Sequence, residues 1–143
     1  MAFNETVRAA LGAGKAKDAA QLPALTLAYI GDTVYDLFVR TALIQRSDVK
    51  VHALHLLAAK QVCAAGQTAA FRRIEPHLTE EELAVFKRGR NAHSGTVPKN
   101  AAVTDYRTAT GLETLVGWLY WTGADERLGE LMNIALEGEE HGV

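Results

Sequence analysis

Strand-type alternation of apolar and polar positions is hard to find along this chain, whereas runs that would cover one side of a helix recur. Residues 22–45 read as the first strong helix, with Pro23 tolerated in its first turn. "SDV" at 47–49 supplies a cap. From 49 to about 75 the pattern reads as one long helix or two, with Gly66 the expected break and Pro76 the end. Thr79 with Glu82 three residues on is a capping box, and the helix it opens has acids in its first turn and bases in its last. The segment "SGTVPKN", 94–100, is a loop. Residues 101–122 form a second strong apolar helix, and 125–137 a closing amphipathic one. The pattern predicts a single all-α domain over 1–143, with 1–21 a potentially mobile N-terminal segment.

The totals narrow the class. A length of 143 residues suits one core, and 48% hydrophobic with 22% charged residues sets the chain apart from disordered ones. No run approaches the roughly 20 apolar residues of a membrane span. The first 21 residues contain acids and no long apolar segment, so they do not read as a secretory signal. The single cysteine, Cys63, has no intrachain partner, which fits a reducing cytoplasm; it is expected to be a small buried hydrophobe rather than a nucleophile. A formal net charge of −2 offers no whole-molecule attraction for nucleic acid. Any basic surface must be local.

Two acids stand out against this background. "LAYIGDTVYDLFVR", 27–40, reads as a helix destined for burial, yet Asp32 follows Gly31 near its middle and Asp36 comes one turn later. A helix-interior glycine costs about 1 kcal/mol relative to alanine, and a buried carboxylate is costly unless paired or metal-bound. Asp36 has Arg40 four residues on, a favourable helical pair. Asp32 has a like charge at that distance instead. Glu113 repeats the oddity in "TGLETLVGWLYW", between Gly111 and Gly117. Glycines beside both acids point to close packing that brings Asp32 and Glu113 together. Two carboxylates sharing a site need a proton or a cation between them, and Mg²⁺ takes such oxygen ligands.

The third feature is "FKRGRNAHSGTVPKN", 86–100. Lys87, Arg88, Arg90 and Lys99 occur with no acid among them, Asn91, Ser94 and Asn100 add neutral donors, and Arg107 follows further on. A helix end complementing its dipole explains one or two of these bases. Phosphate binding explains the whole run. His93 lies within it and could contact a phosphate. His52 and His55 share a helix face but lack the partners of a metal motif.

These three pieces, in this order, resemble the ribonuclease III family and, within it, the small Mini-ribonuclease III branch. The resemblance runs from about Leu25 to Tyr120 and leaves no room for a double-stranded-RNA-binding domain. It implies an all-helical homodimeric endonuclease fold that cuts double-stranded RNA with Mg²⁺, for which Mn²⁺ can substitute. It also implies a role in maturation of large-subunit (23S) ribosomal RNA, with a large-subunit ribosomal protein as a candidate for presenting the RNA. Carried over by position, Asp32 and Glu113 are the catalytic and metal-binding acids, and Lys87, Arg88, Arg90, Asn91, Ser94, Lys99, Asn100 and Arg107 the RNA-binding set. Ala28 and Thr110 stand where ordinary ribonuclease III has a further glutamate and aspartate, a departure shared with the Mini branch. Two other classes compete: a non-catalytic dimeric RNA-binding scaffold on the same fold, and a helical protein-interaction domain.

Overall fold

The computed structural model describes residues 1–92 and 102–137. Among them the elements are α1 (Phe3–Leu11), α2 (Ala24–Arg46), α3 (Val51–Val62), α4 (Ala64–Ile74), α5 (Glu80–Arg90), α6 (Val103–Trp121) and α7 (Asp125–Ala135), with 3₁₀ turns at Ala19–Gln21 and Glu75–His77. No strand occurs among the described residues, and none of their helices is long and apolar enough to cross a membrane. The fold is all-α.

Helix α6 is the centre of the molecule. Its Leu112, Leu115 and Val116 are fully buried because other helices cover it from several sides, which suits a helix apolar around most of its circumference. Helix α2 faces it with Leu27, Val34, Tyr35, Val39 and Leu43, a stripe at helical spacing. Phe71 of α4 and Phe86 of α5 stack nearly parallel with ring centres 3.8 Å apart, tying those two helices together beneath α6.

Local chemistry sets the ends. Thr79 Oγ1 accepts from the Glu82 amide at 3.1 Å while Glu82 Oε1 accepts from the Thr79 amide at 2.9 Å, the reciprocal capping box expected at α5. The same carboxylate, buried to 5% exposure, takes two 2.8 Å hydrogen bonds from Arg127 of α7. One glutamate thus starts α5 and docks α7. Residues ahead of α2 pack back on α6: Asn4 donates to the Tyr120 carbonyl at 2.7 Å, and Trp121 Nε1 donates to the Lys17 carbonyl at 2.8 Å.

Two expectations are corrected. The break after α3 falls at Cys63 rather than at Gly66, which sits in the first turn of α4. A Cβ on Gly66 would run into the Lys60 carbonyl and lie 2.8 Å from that of Gln61, so this glycine lets α4 fold back tightly against the end of α3. Cys63 is exposed instead of buried. Its Sγ donates to the Lys60 carbonyl at 3.3 Å and accepts from the Gly66 amide at 3.4 Å, so it acts as the N-cap of α4.

Candidate active site

The site begins where α2 and α6 cross backbone to backbone. A Cβ on Gly31 would collide with the carbonyl of Glu113 and come within 2.8 Å of the Gly117 nitrogen; one on Gly117 would collide with the Leu27 carbonyl. Of the glycines flanking Glu113, Gly117 therefore makes the crossing, while Gly111 meets the ring of Phe86 on α5. The crossing places the side chain of Asp32, next after Gly31, within hydrogen-bonding reach of the Glu113 carboxyl.

Their environments differ. Asp32 is exposed, contrary to the expectation of a buried acid on α2, because it lies at the solvent edge of the crossing. Glu113 is half-buried. Burial first, and then the hydrogen bond and negative charge of Asp32, push its carboxyl up to about 8. Opposing them is Gln67 of α4, whose amide Nε2 donates to Glu113 Oε2 at 3.3 Å.

This donor set fits a hard divalent cation. Two carboxylates pressed together, one holding a proton well above the ordinary range, would both ionise against a positive charge. Among the described residues no group of three or more His, Cys, Asp and Glu side chains converges. Ala28 is buried and apolar, and the Thr110 hydroxyl donates back to the Tyr106 carbonyl at 3.0 Å, so neither adds a charge. A two-carboxylate site suits Mg²⁺, which draws the rest of its shell from water and phosphate. Asp36 is engaged elsewhere: Arg40 donates to it at 3.0 Å.

The basic residues sit beside this pair. Gly89 presses α5 onto α6 at Gly111 and Thr114, the turn that carries Glu113. Lys87, Arg88 and Arg90 belong to that last turn of α5, Asn91 caps it, and Arg107 lies on α6. Lys87, Arg88, Asn91 and Arg107 are exposed. Arg88 donates to the Leu22 carbonyl at 3.3 Å, just before α2. Arg90 is only partly exposed: its guanidinium lies 5.9 Å over the Phe86 ring and donates to Asn91 Oδ1 at 3.2 Å. Ser94, Lys99 and Asn100, with His93, lie outside the described residues.

The model of the Ribonuclease III domain matches residues 25–124. The chain belongs to the ribonuclease III family. Its relatives include the Mini-ribonuclease 3 of Clostridium tetani, 46% identical over 136 residues that cover 88% of this chain and 90% of that one. The Mini-ribonuclease 3 of Symbiobacterium thermophilum is 46% identical over 121 residues, covering 85% and 93%. A crystal structure of a protein from Fusobacterium nucleatum superposes with a TM-score of 0.75 at 28% identity, over 86% of this chain and 98% of that one. As a ribonuclease III of the Mini branch, the protein is an endoribonuclease.

Within this ribonuclease III fold, both acids were legible from their glycines, but Gln67 was not. A glutamine near the start of a helix carries no motif. The signal that marks it is three-dimensional: it is 2% exposed and its amide faces the Glu113 carboxyl.

Proposed function

We propose that the protein is a Mg²⁺-dependent endonuclease that cuts double-stranded RNA as a homodimer in the cytoplasm. Its kinship with the Mini branch makes the precursor of large-subunit ribosomal RNA the proposed substrate. The observation that carries this reading is the Asp32–Glu113 pair at the α2–α6 crossing, with the basic end of α5 packed through Gly89 on the α6 turn that carries Glu113.

Asp32 and Glu113 would hold Mg²⁺, which supplies activation of a water and charge stabilisation at the phosphodiester. The rest falls to the chain itself. Glu113 must release its proton before it can act as a ligand. Arg88, Lys87 and Arg107 hold the RNA backbone, and duplex RNA, whose phosphates and 2′-hydroxyls flank a shallow minor groove, is read mainly by shape. Tyr29, Leu37 and Ile44 are 82%, 50% and 67% exposed along α2, at spacings of eight and seven that keep them on one side. That apolar stripe beside Asp32 supports a homodimer with a symmetric pair of sites, one for each strand.

Asp32→Asn tests the reading. Cleavage of long duplex RNA should fall by orders of magnitude at saturating Mg²⁺, while RNA binding and the fold persist. Cleavage near the parent rate would remove Asp32 from the reaction, and a parent protein that binds duplex RNA without cutting it would support the scaffold instead.

A further inference from the structure

Gln67 projects from the first turn of α4 into the junction of α3, α4 and α6. Its Nε2 donates to two acceptors, the Val62 carbonyl at 3.0 Å and Glu113 Oε2 at 3.3 Å. Val62 is the last residue of α3, so its carbonyl is one of those a helix end leaves without an intrahelical partner. That contact settles which way the amide points. The reversed amide would set oxygen against a carbonyl oxygen, so the NH₂ group, and not the oxygen, faces Glu113.

The other half of the same amide is costly. Gln67 Oε1 is buried with no hydrogen-bond partner among the described residues. An unsatisfied buried acceptor costs about 1–3 kcal/mol, and an apolar side chain of similar size would avoid it. Packing alone therefore does not account for a glutamine here. The chemistry of its neighbour does. A lysine or arginine would neutralise Glu113 and compete with a cation, and a further acid would add to the repulsion from Asp32. A neutral donor steadies the carboxylate and leaves its charge for the metal.

We propose that Gln67 is a positioning residue that holds the Glu113 carboxylate from α4 and ties its orientation to the α3–α4 break. The proposal rests on the reading of Glu113 as a metal ligand. Groups that orient metal ligands in this way typically change metal affinity or activity by 10–100-fold when removed.

Gln67→Met keeps the length and most of the volume and removes the donor. Melting in chelator should stay close to the parent's, since the unsatisfied oxygen goes with the amide while the Val62 carbonyl loses its donor. The Mg²⁺ concentration for half-maximal cleavage should rise by about tenfold, and the rise in melting temperature on adding Mg²⁺ should shrink. Duplex RNA binding without metal should not change. A parent-like Mg²⁺ requirement, or a loss of activity that only follows a lower melting temperature in chelator, would overturn the role. The contact can also be read with neither metal nor RNA: the Gln67 side-chain amide resonances should move in Glu113→Ala, and unmoved resonances would overturn it. Failure of the underlying reading looks different, because the parent would then show no Mg²⁺-dependent cleavage at all.

Discussion

Gly31 lies directly against the backbone carbonyl of Glu113, leaving no space for a Cβ between α2 and α6. Because the obstacle is backbone, no side-chain rotation relieves it. Gly31→Ala gains about 1 kcal/mol of helix propensity but must push the central helices apart, and overpacking of this kind costs about 1–3 kcal/mol. The expected outcome is a net loss of up to roughly 2 kcal/mol in urea unfolding, with cleavage lost as Asp32 and Glu113 separate. Gly129 on α7 is the control. A Cβ there meets nothing within 4 Å, so Gly129→Ala should stabilise by roughly 0.5–1 kcal/mol and leave cleavage unchanged.

The raised Glu113 carboxyl gives the metal-free protein a signed pH dependence. The unfolded chain releases this proton near the ordinary 4.5, whereas the folded protein holds it to about 8. Between those values folding takes up a proton, so this group's contribution to stability is complete below 4.5 and is lost as pH rises through 8. Thermal melts in chelator should show that decline in the parent and a flatter profile in Glu113→Gln, which mimics the protonated acid. Mg²⁺ must expel the same proton, so the Mg²⁺ concentration needed for cleavage should fall as pH approaches 8.

Arg127 is the partner that makes a buried Glu82 tolerable. The Arg127 hydrogen bonds are the largest cause holding the Glu82 carboxyl below its usual range, followed by opposing burial and by Thr79. Arg127→Met should cost about 3 kcal/mol, because it leaves a buried charge without its counter-ion. The parent's Glu82 contribution is present above pH 4.5 and is lost as pH falls through the lowered folded value. Urea unfolding near pH 7 and again under strongly acidic conditions should show the gap between parent and variant closing in acid.

The exposed bases are expected to act through phosphates. Arg88→Ala combined with Arg107→Ala should weaken duplex RNA binding across sequences. The dependence of log K on log salt should become shallower by roughly one for each contact removed. Arg90→Ala should behave differently and lose some stability, because that side chain covers Phe86. An unchanged salt slope in the double variant would move the RNA path away from α5.

What the sequence determined by itself was local or came from residue types that are rarely placed without cause. The helices from α2 onward, the Thr79–Glu82 capping box, the glycines that mark a close crossing and the two acids beside them all follow from spacing along one chain. Tertiary structure decided which glycine answers which. Gly117 meets α2 and Gly111 meets Phe86, a choice that depends on how three helices pack around α6. It also decided that Asp32 is exposed while Glu113 carries the burial, since helical periodicity alone does not say which edge of a crossing faces water. The break at Cys63 followed from the fold-back of α4, where Gly66 serves close approach rather than termination. Gln67 had no local signature because its meaning is relational. Only the assembled fold brings its amide to Glu113, 46 residues away in the chain.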